Sequence, residues 1–180
     1  IRNSNYHFFN YQLQNEQHEY SYSLSRKEPK GLQEASNELT NYFIAQKLKL
    51  SCDQLNAQNL IQVEYQQDFL SEVITFLETK KELNLPSIEV YYHYYKTLVE
   101  QNNKDFYQKL KEGLVAYQGK FPKSELNYLY LATINYCIKQ HNAGKKNFTK
   151  EMLQLYKEGL KNEVFLVNGI LDRFTYKNTV

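Results

Sequence analysis

Tryptophan is absent from this chain, and glycine and proline are scarce, at six and three among 180 residues. So few breakers exclude a loop-rich or fibrous chain and call for long elements with few turns. The breakers cluster at 29–31, 86, 113, 119–122, 144, 159 and 169, where helices would end. Cysteine is limited to Cys52 and Cys137, with no Cys-x-x-Cys and no neighbouring histidine. That excludes a disulfide framework; each is expected as a small apolar residue in a helix core, in a reduced, cytoplasmic setting. Neither sign of charge dominates: 22 Lys and Arg against 20 Asp and Glu leave a net +2. This argues against a dedicated electrostatic binder of nucleic acid. No apolar run approaches the ~20 residues of a membrane span, and no signal peptide is visible. The first residue is Ile1 and the last lie in an apparent new element at Thr175-Tyr176-Lys177-Asn178. The chain therefore reads as a piece of a longer protein.

What the chain does contain is helical periodicity and 17 tyrosines. Residues 4–25 carry Tyr6, Phe9, Leu13, Tyr20 and Leu24 as a moderately amphipathic helix, and 26–31, with Pro29 and Gly31, is a break. From Leu32, apolar or small residues recur at Ala35, Leu39, Tyr42, Ala45, Leu48, Cys52 and Leu55, steps of three and four that mark a helix. Asn56 to Asn59 reads as a turn. Phe69, Leu70, Val73, Phe76 and Leu77 form the next helix, with Lys80 and Lys81 in its last turn and Pro86 after it.

Two similar hairpins follow. The first opens at Pro86-Ser87-Ile88, with Ser87 expected to cap it and Glu89 in its first turn, and ends on Lys111-Glu112-Gly113-Leu114. The second opens at Pro122-Lys123-Ser124 and ends on Lys157-Glu158-Gly159-Leu160. Their serines lie 37 residues apart, a repeat-protein spacing. The helix near 124–140 is apolar on most sides and is expected to be packed on most sides. The second return helix is expected to be one turn longer than the first, and Val164 to Leu171 to begin another short helix. In all, about seven helices in antiparallel hairpins are expected. One hairpin cannot bury both faces alone, so the leading fold is an all-α stack, an α-solenoid over residues 1–180, with a closed helical bundle as the alternative.

The hairpin length, the aromatic first helices and the small residues of the second helices resemble the tetratricopeptide-repeat-like superfamily. Tyr42-Phe43-Ile44-Ala45-Gln46-Lys47-Leu48-Lys49-Leu50-Ser51-Cys52 and Asn135-Tyr136-Cys137-Ile138 resemble segments of large uncharacterised bacterial helical-repeat proteins. The resemblance covers about 30–171 and implies a solenoid that presents surfaces to partners; it carries over no functional residue.

No motif for chemistry is present. The dinucleotide and phosphate glycine loops and Gly-x-Ser-x-Gly are missing, and His7, His18, His93 and His141 stand at no ligand spacing. Hence no catalytic residue, metal or cofactor is assigned. Glu64, Asp68 and Glu72 read as a solvated acidic stripe on one helix face. Asn147-Phe148-Thr149 reads as a helix start with capping side chains rather than a glycosylation site. Lys145-Lys146, with Lys139 and Lys150, reads as a solvated basic loop. Of the run Tyr91-Tyr92-His93-Tyr94-Tyr95, Tyr91 and Tyr95 are expected in the core, with Tyr92 and Tyr94 at a repeat interface. Glu89 and His93 share a face at i, i+4 and extend through Lys96 and Glu100 as a polar stripe opposite the core.

The functional expectation is a non-enzymatic interaction scaffold for a protein or peptide. Its concave-face candidates are Glu89, His93 and Lys96, then Tyr128, Asn135 and Lys139. A single-stranded RNA-binding helical-repeat module is the alternative.

Overall fold

The computed structural model describes residues 2–24, 31–61, 63–80, 84–171 and 175–177. The expected break at 26–30, Lys81 and Asn178 lie outside them. The described residues are almost wholly helical: α1 (Ser4–Leu24), α2 (Leu32–Ile61), α3 (Leu70–Thr79), α4 (Pro86–Val99), α5 (Lys104–Ala116), a 3-10 turn (Gln118–Lys120), α6 (Lys123–Asn142) and α7 (Phe148–Lys161). A two-residue ladder, β1 (Leu166–Val167) with β2 (Ile170–Leu171), completes them. None of the described helices is long and apolar enough to cross a membrane. The chain forms two compact units, 1–120 and 121–180.

In the first unit α2 is the spine. It packs on α1, on α4 and more lightly on α3, while α4 packs on α5. Ala45, Leu48 and Cys52 of α2 are fully buried. Across α1 and α2, His7 Nδ1 meets Glu38 Oε2 at 2.6 Å and Gln46 Nε2 donates to Ser4 Oγ at 3.0 Å, so the two helices run antiparallel. Across α2 and α4 the numbering rises together: Cys52 Sγ faces the Tyr91 carbonyl at 3.8 Å and Asn56 Nδ2 donates to the Tyr94 hydroxyl at 2.7 Å. Those two helices are parallel neighbours. The Asn56 bond also explains why no turn forms at 56–59: the polar tract is tied to α4, and α2 runs on to Ile61.

Helix α3 starts late because Phe69 is left-handed, at φ 60 and ψ 3. Glu64 and Asp68 therefore precede the helix, and the acidic stripe with Glu72 does not exist. A bulky side chain in that conformation costs about 1–2 kcal/mol, and Phe69 is 68% exposed, with little packing to lose. Phe69→Gly is expected to raise stability by about 0.5–1 kcal/mol in urea denaturation. A lower stability would mean that the ring holds more than its exposure shows.

At the start of α4 the cap position is Leu85, with Pro86 as the first helical residue. Ser87 is thus inside the helix and buried, and its hydroxyl has no partner among the described residues, so it does not cap the helix. Helix α5 is capped instead by Asn103, whose side chain accepts from the Asp105 N–H at 3.1 Å. Its first turn is polar and escapes an apolar count. With that turn included, α5 has 13 residues and α7 has 14, so the expected one-turn difference vanishes.

In the second unit α6 packs on α7. The buried residues of α6 run from Glu125 to Gln140 over about half its circumference, and Ile138 is 37% exposed, so it is not packed on most sides. Asn147 precedes α7 in a right-handed helical conformation and makes no side-chain cap. Thr149 Oγ1 lies instead 2.9 Å from His141 Nδ1. Segment 164–171 is a hairpin rather than a helix. Asn168 (φ 53) and Gly169 (φ 78) are both left-handed, the geometry of a type I′ turn, and Leu166 pairs with Leu171.

Candidate functional site

The first unit contains a cleft of about 640 Å³ walled by α3, α4 and α5. Its walls follow from three amphipathic patterns. Helix α3 turns Leu70, Val73 and Leu77 inward, which leaves Glu78 at the rim beside Leu77. Helix α4 contributes Glu89, Tyr92 and His93, one turn apart on one face. Helix α5 contributes Phe106, Lys109, Glu112, Gly113 and Ala116, with Tyr117 just after it. Gly113 is buried where α5 approaches α4 closely, and Ala116 is exposed on the α5 wall.

His93 is the pivotal departure from the expected polar stripe. It is only 7% exposed, because α5 covers this face of α4. Its ring lies 6.3 Å from Phe106, and Tyr92 meets the same ring edge-on at 6.2 Å. Its Nδ1 is buried and has no hydrogen-bond partner among the described residues. Burial pushes the imidazole down to about 4, and the Lys109 ammonium adds to this while the Glu112 carboxylate opposes it. His93 is therefore neutral at pH 7.

Glu89 is half-buried and accepts from the Tyr117 hydroxyl at 2.6 Å. That carboxylate, with burial second, pushes the Tyr117 phenol up to about 12. Lys96 sits between Glu78 at 2.9 Å and Glu100 at 2.5 Å. Burial works against the Lys96 charge, but the Glu100 and Glu78 carboxylates outweigh it and hold the ammonium above its ordinary range. Lys96 is thus a strut between α3 and α4 rather than an open binding residue.

The tyrosine run divides differently from the expectation. Tyr91, Tyr92 and Tyr94 are buried, whereas Tyr95 is only half-buried. Tyr94 reaches α2 and Tyr92 reaches α5, so neighbouring helices take the two rings on opposite sides.

Of the other expected surface residues, Asn135 and Lys139 are exposed on α6 and Tyr128 is half-buried. At 100° per residue the three share one face. They belong to the second unit, and the cleft to the first. Sequence reasoning placed Gly113 only in a helix ending and assigned neither Phe106 nor Tyr117 to a site. Among the described residues, no group of three or more His, Cys, Asp or Glu side chains is placed to hold a metal ion. No protein-family model, curated protein or solved structure matches this chain.

Proposed function

We propose that this chain is a non-enzymatic interaction module that binds a protein or peptide, with its hairpins stacked as a tetratricopeptide-like α-solenoid. The observation that carries the reading is the open cleft between α3, α4 and α5, with charged side chains at its rim and rings on its walls. A volume of ~300–1,000 Å³ is the usual size of a ligand pocket, and this one sets charged side chains beside rings. The parallel pairing of α2 with α4, followed by antiparallel α5, is what stacked hairpins require, and it supports the solenoid reading.

The test is selection of peptides from a random display library on the immobilised chain, with Ala116→Gln as the counter-target. Ala116 is exposed and lines the cleft, so glutamine narrows the site without touching the core. Peptides that bind the native chain and lose at least fivefold on Ala116→Gln support the module. Selection of peptides indifferent to Ala116→Gln, or of none, overturns it.

A further inference from the structure

Among the described residues, the carboxylates of Glu78, Glu89 and Glu112 line the cleft together with the ammonium groups of Lys80 and Lys109. Glu78 is paired with Lys96. Lys80 holds its ammonium 4.5 Å from the centre of the Phe76 ring. Glu89 forms no ion pair among the described residues. Glu89 is more buried than Glu112, and the hydrogen bond it accepts comes from a neutral phenol rather than a cation. The rings of Tyr92, Phe106 and Tyr117 line the same cleft. His93, nine-tenths buried in the same wall, has a nitrogen without a partner among the described residues.

We propose that this cleft receives the guanidinium of an arginine side chain on the partner peptide, with Glu89 as its counter-ion. The inference rests on the peptide-module reading given above. A cation would give Glu89 the charged partner that the Tyr117 phenol does not. A guanidinium is planar and weakly hydrated, lays its face on aromatic rings and directs several N–H donors at carboxylate oxygens in one plane. A lysine ammonium matches the charge and can sit over a ring, but it has no planar face to lay on one and no fork of donors to match a carboxylate. The volume leaves space for the arginine stem and the flanking peptide backbone.

The experiment is an NMR titration of the isotopically labelled chain with three capped tripeptides: Gly-Arg-Gly, its citrulline analogue, which is neutral and of the same shape, and Gly-Glu-Gly. The arginine peptide is expected to shift the Glu89, His93 and Tyr117 resonances to saturation, with at least tenfold weaker binding of the citrulline peptide. Glu89→Gln keeps an acceptor for the Tyr117 hydroxyl and is expected to lose at least fivefold in affinity while melting near the native temperature. Equal binding of citrulline, preference for the glutamate peptide, or full affinity in Glu89→Gln overturns the arginine assignment and leaves the peptide module standing. Cleft resonances that respond to none of the three peptides, or only to a single-stranded oligoribonucleotide, overturn both.

Discussion

Gly159→Ala is expected to destabilise the second unit by about 2–3 kcal/mol, although alanine is the better helix former by about 1 kcal/mol. A Cβ at this position would fall 2.2 Å from Phe165 Cε2 and 2.5 Å from its Cζ, so the ring must move. It has nowhere to go. Phe165 is 1% exposed and is held edge-on by Tyr130 at 6.0 Å and at a tilt by Tyr156 at 5.9 Å. Displacing a buried phenylalanine forfeits much of the ~3–5 kcal/mol that such a ring contributes. Urea denaturation of Gly159→Ala, Phe165→Leu and the double variant separates the terms. The double variant should be less destabilised than the sum of the singles, since leucine vacates the space the new methyl needs. Gly159→Ala as stable as the native chain, or strict additivity, would show that the ring moves freely.

The same glycine shows how far the sequence could be read. The shared Lys-Glu-Gly-Leu endings locate both return helices, and both glycines are buried sites of close approach. At Gly113, however, the neighbour is Val90 of the preceding helix, 3.2 Å from an added Cβ, and at Gly159 it is Phe165 from beyond the helix. A repeated motif marks the need for a small residue but not what presses on it. Periodicity likewise placed Glu89 and His93 on one face of α4 but not which neighbour covers that face. Nine residues of α4 are buried, Ser87, His93 and Thr97 among them, and apolar counting is blind to such polar residues. Thr97 is satisfied within its own helix, donating to the His93 carbonyl at 2.7 Å. At the hairpin, Asn168-Gly169 was in plain view as a turn signal, outweighed by the apolar run around it. At Asn56 the reverse held: a polar tract resembled a turn, and a tertiary bond to Tyr94 kept it helical. The cleft was half legible, because its α4 wall is a helix face, whereas its α5 wall depends on how two helices pack.

Acidification should weaken the first unit through His93, and the sign is fixed by the direction of its shift. An unfolded histidine titrates near 6.5, whereas the folded one is pushed down to about 4 by burial and by Lys109. Between those values the unfolded state binds more protons, so stability rises with pH across this window and falls as pH drops from 6.5 to 4. Below about 4 the folded state is protonated as well, and this group takes nothing further. The full shift corresponds to about 3 kcal/mol, which screening by water in the cleft reduces to about 2 kcal/mol. The groups that face the imidazole set the balance. Lys109 and Glu112 approach from α5, and Glu89 lies one turn away on α4. Since carboxylates also titrate near pH 4, the measurement is a difference: urea unfolding of the native chain and of His93→Leu at intervals from pH 7.5 to 3.5. The native chain should lose about 2 kcal/mol more than His93→Leu, nearly all between pH 6.5 and 4. Parallel curves would show that the ring takes up its proton in the folded state, open to the cleft and paired there. An arginine peptide bound at Glu89 places another cation near the ring, so it should deepen this loss, whereas a glutamate peptide should lessen it.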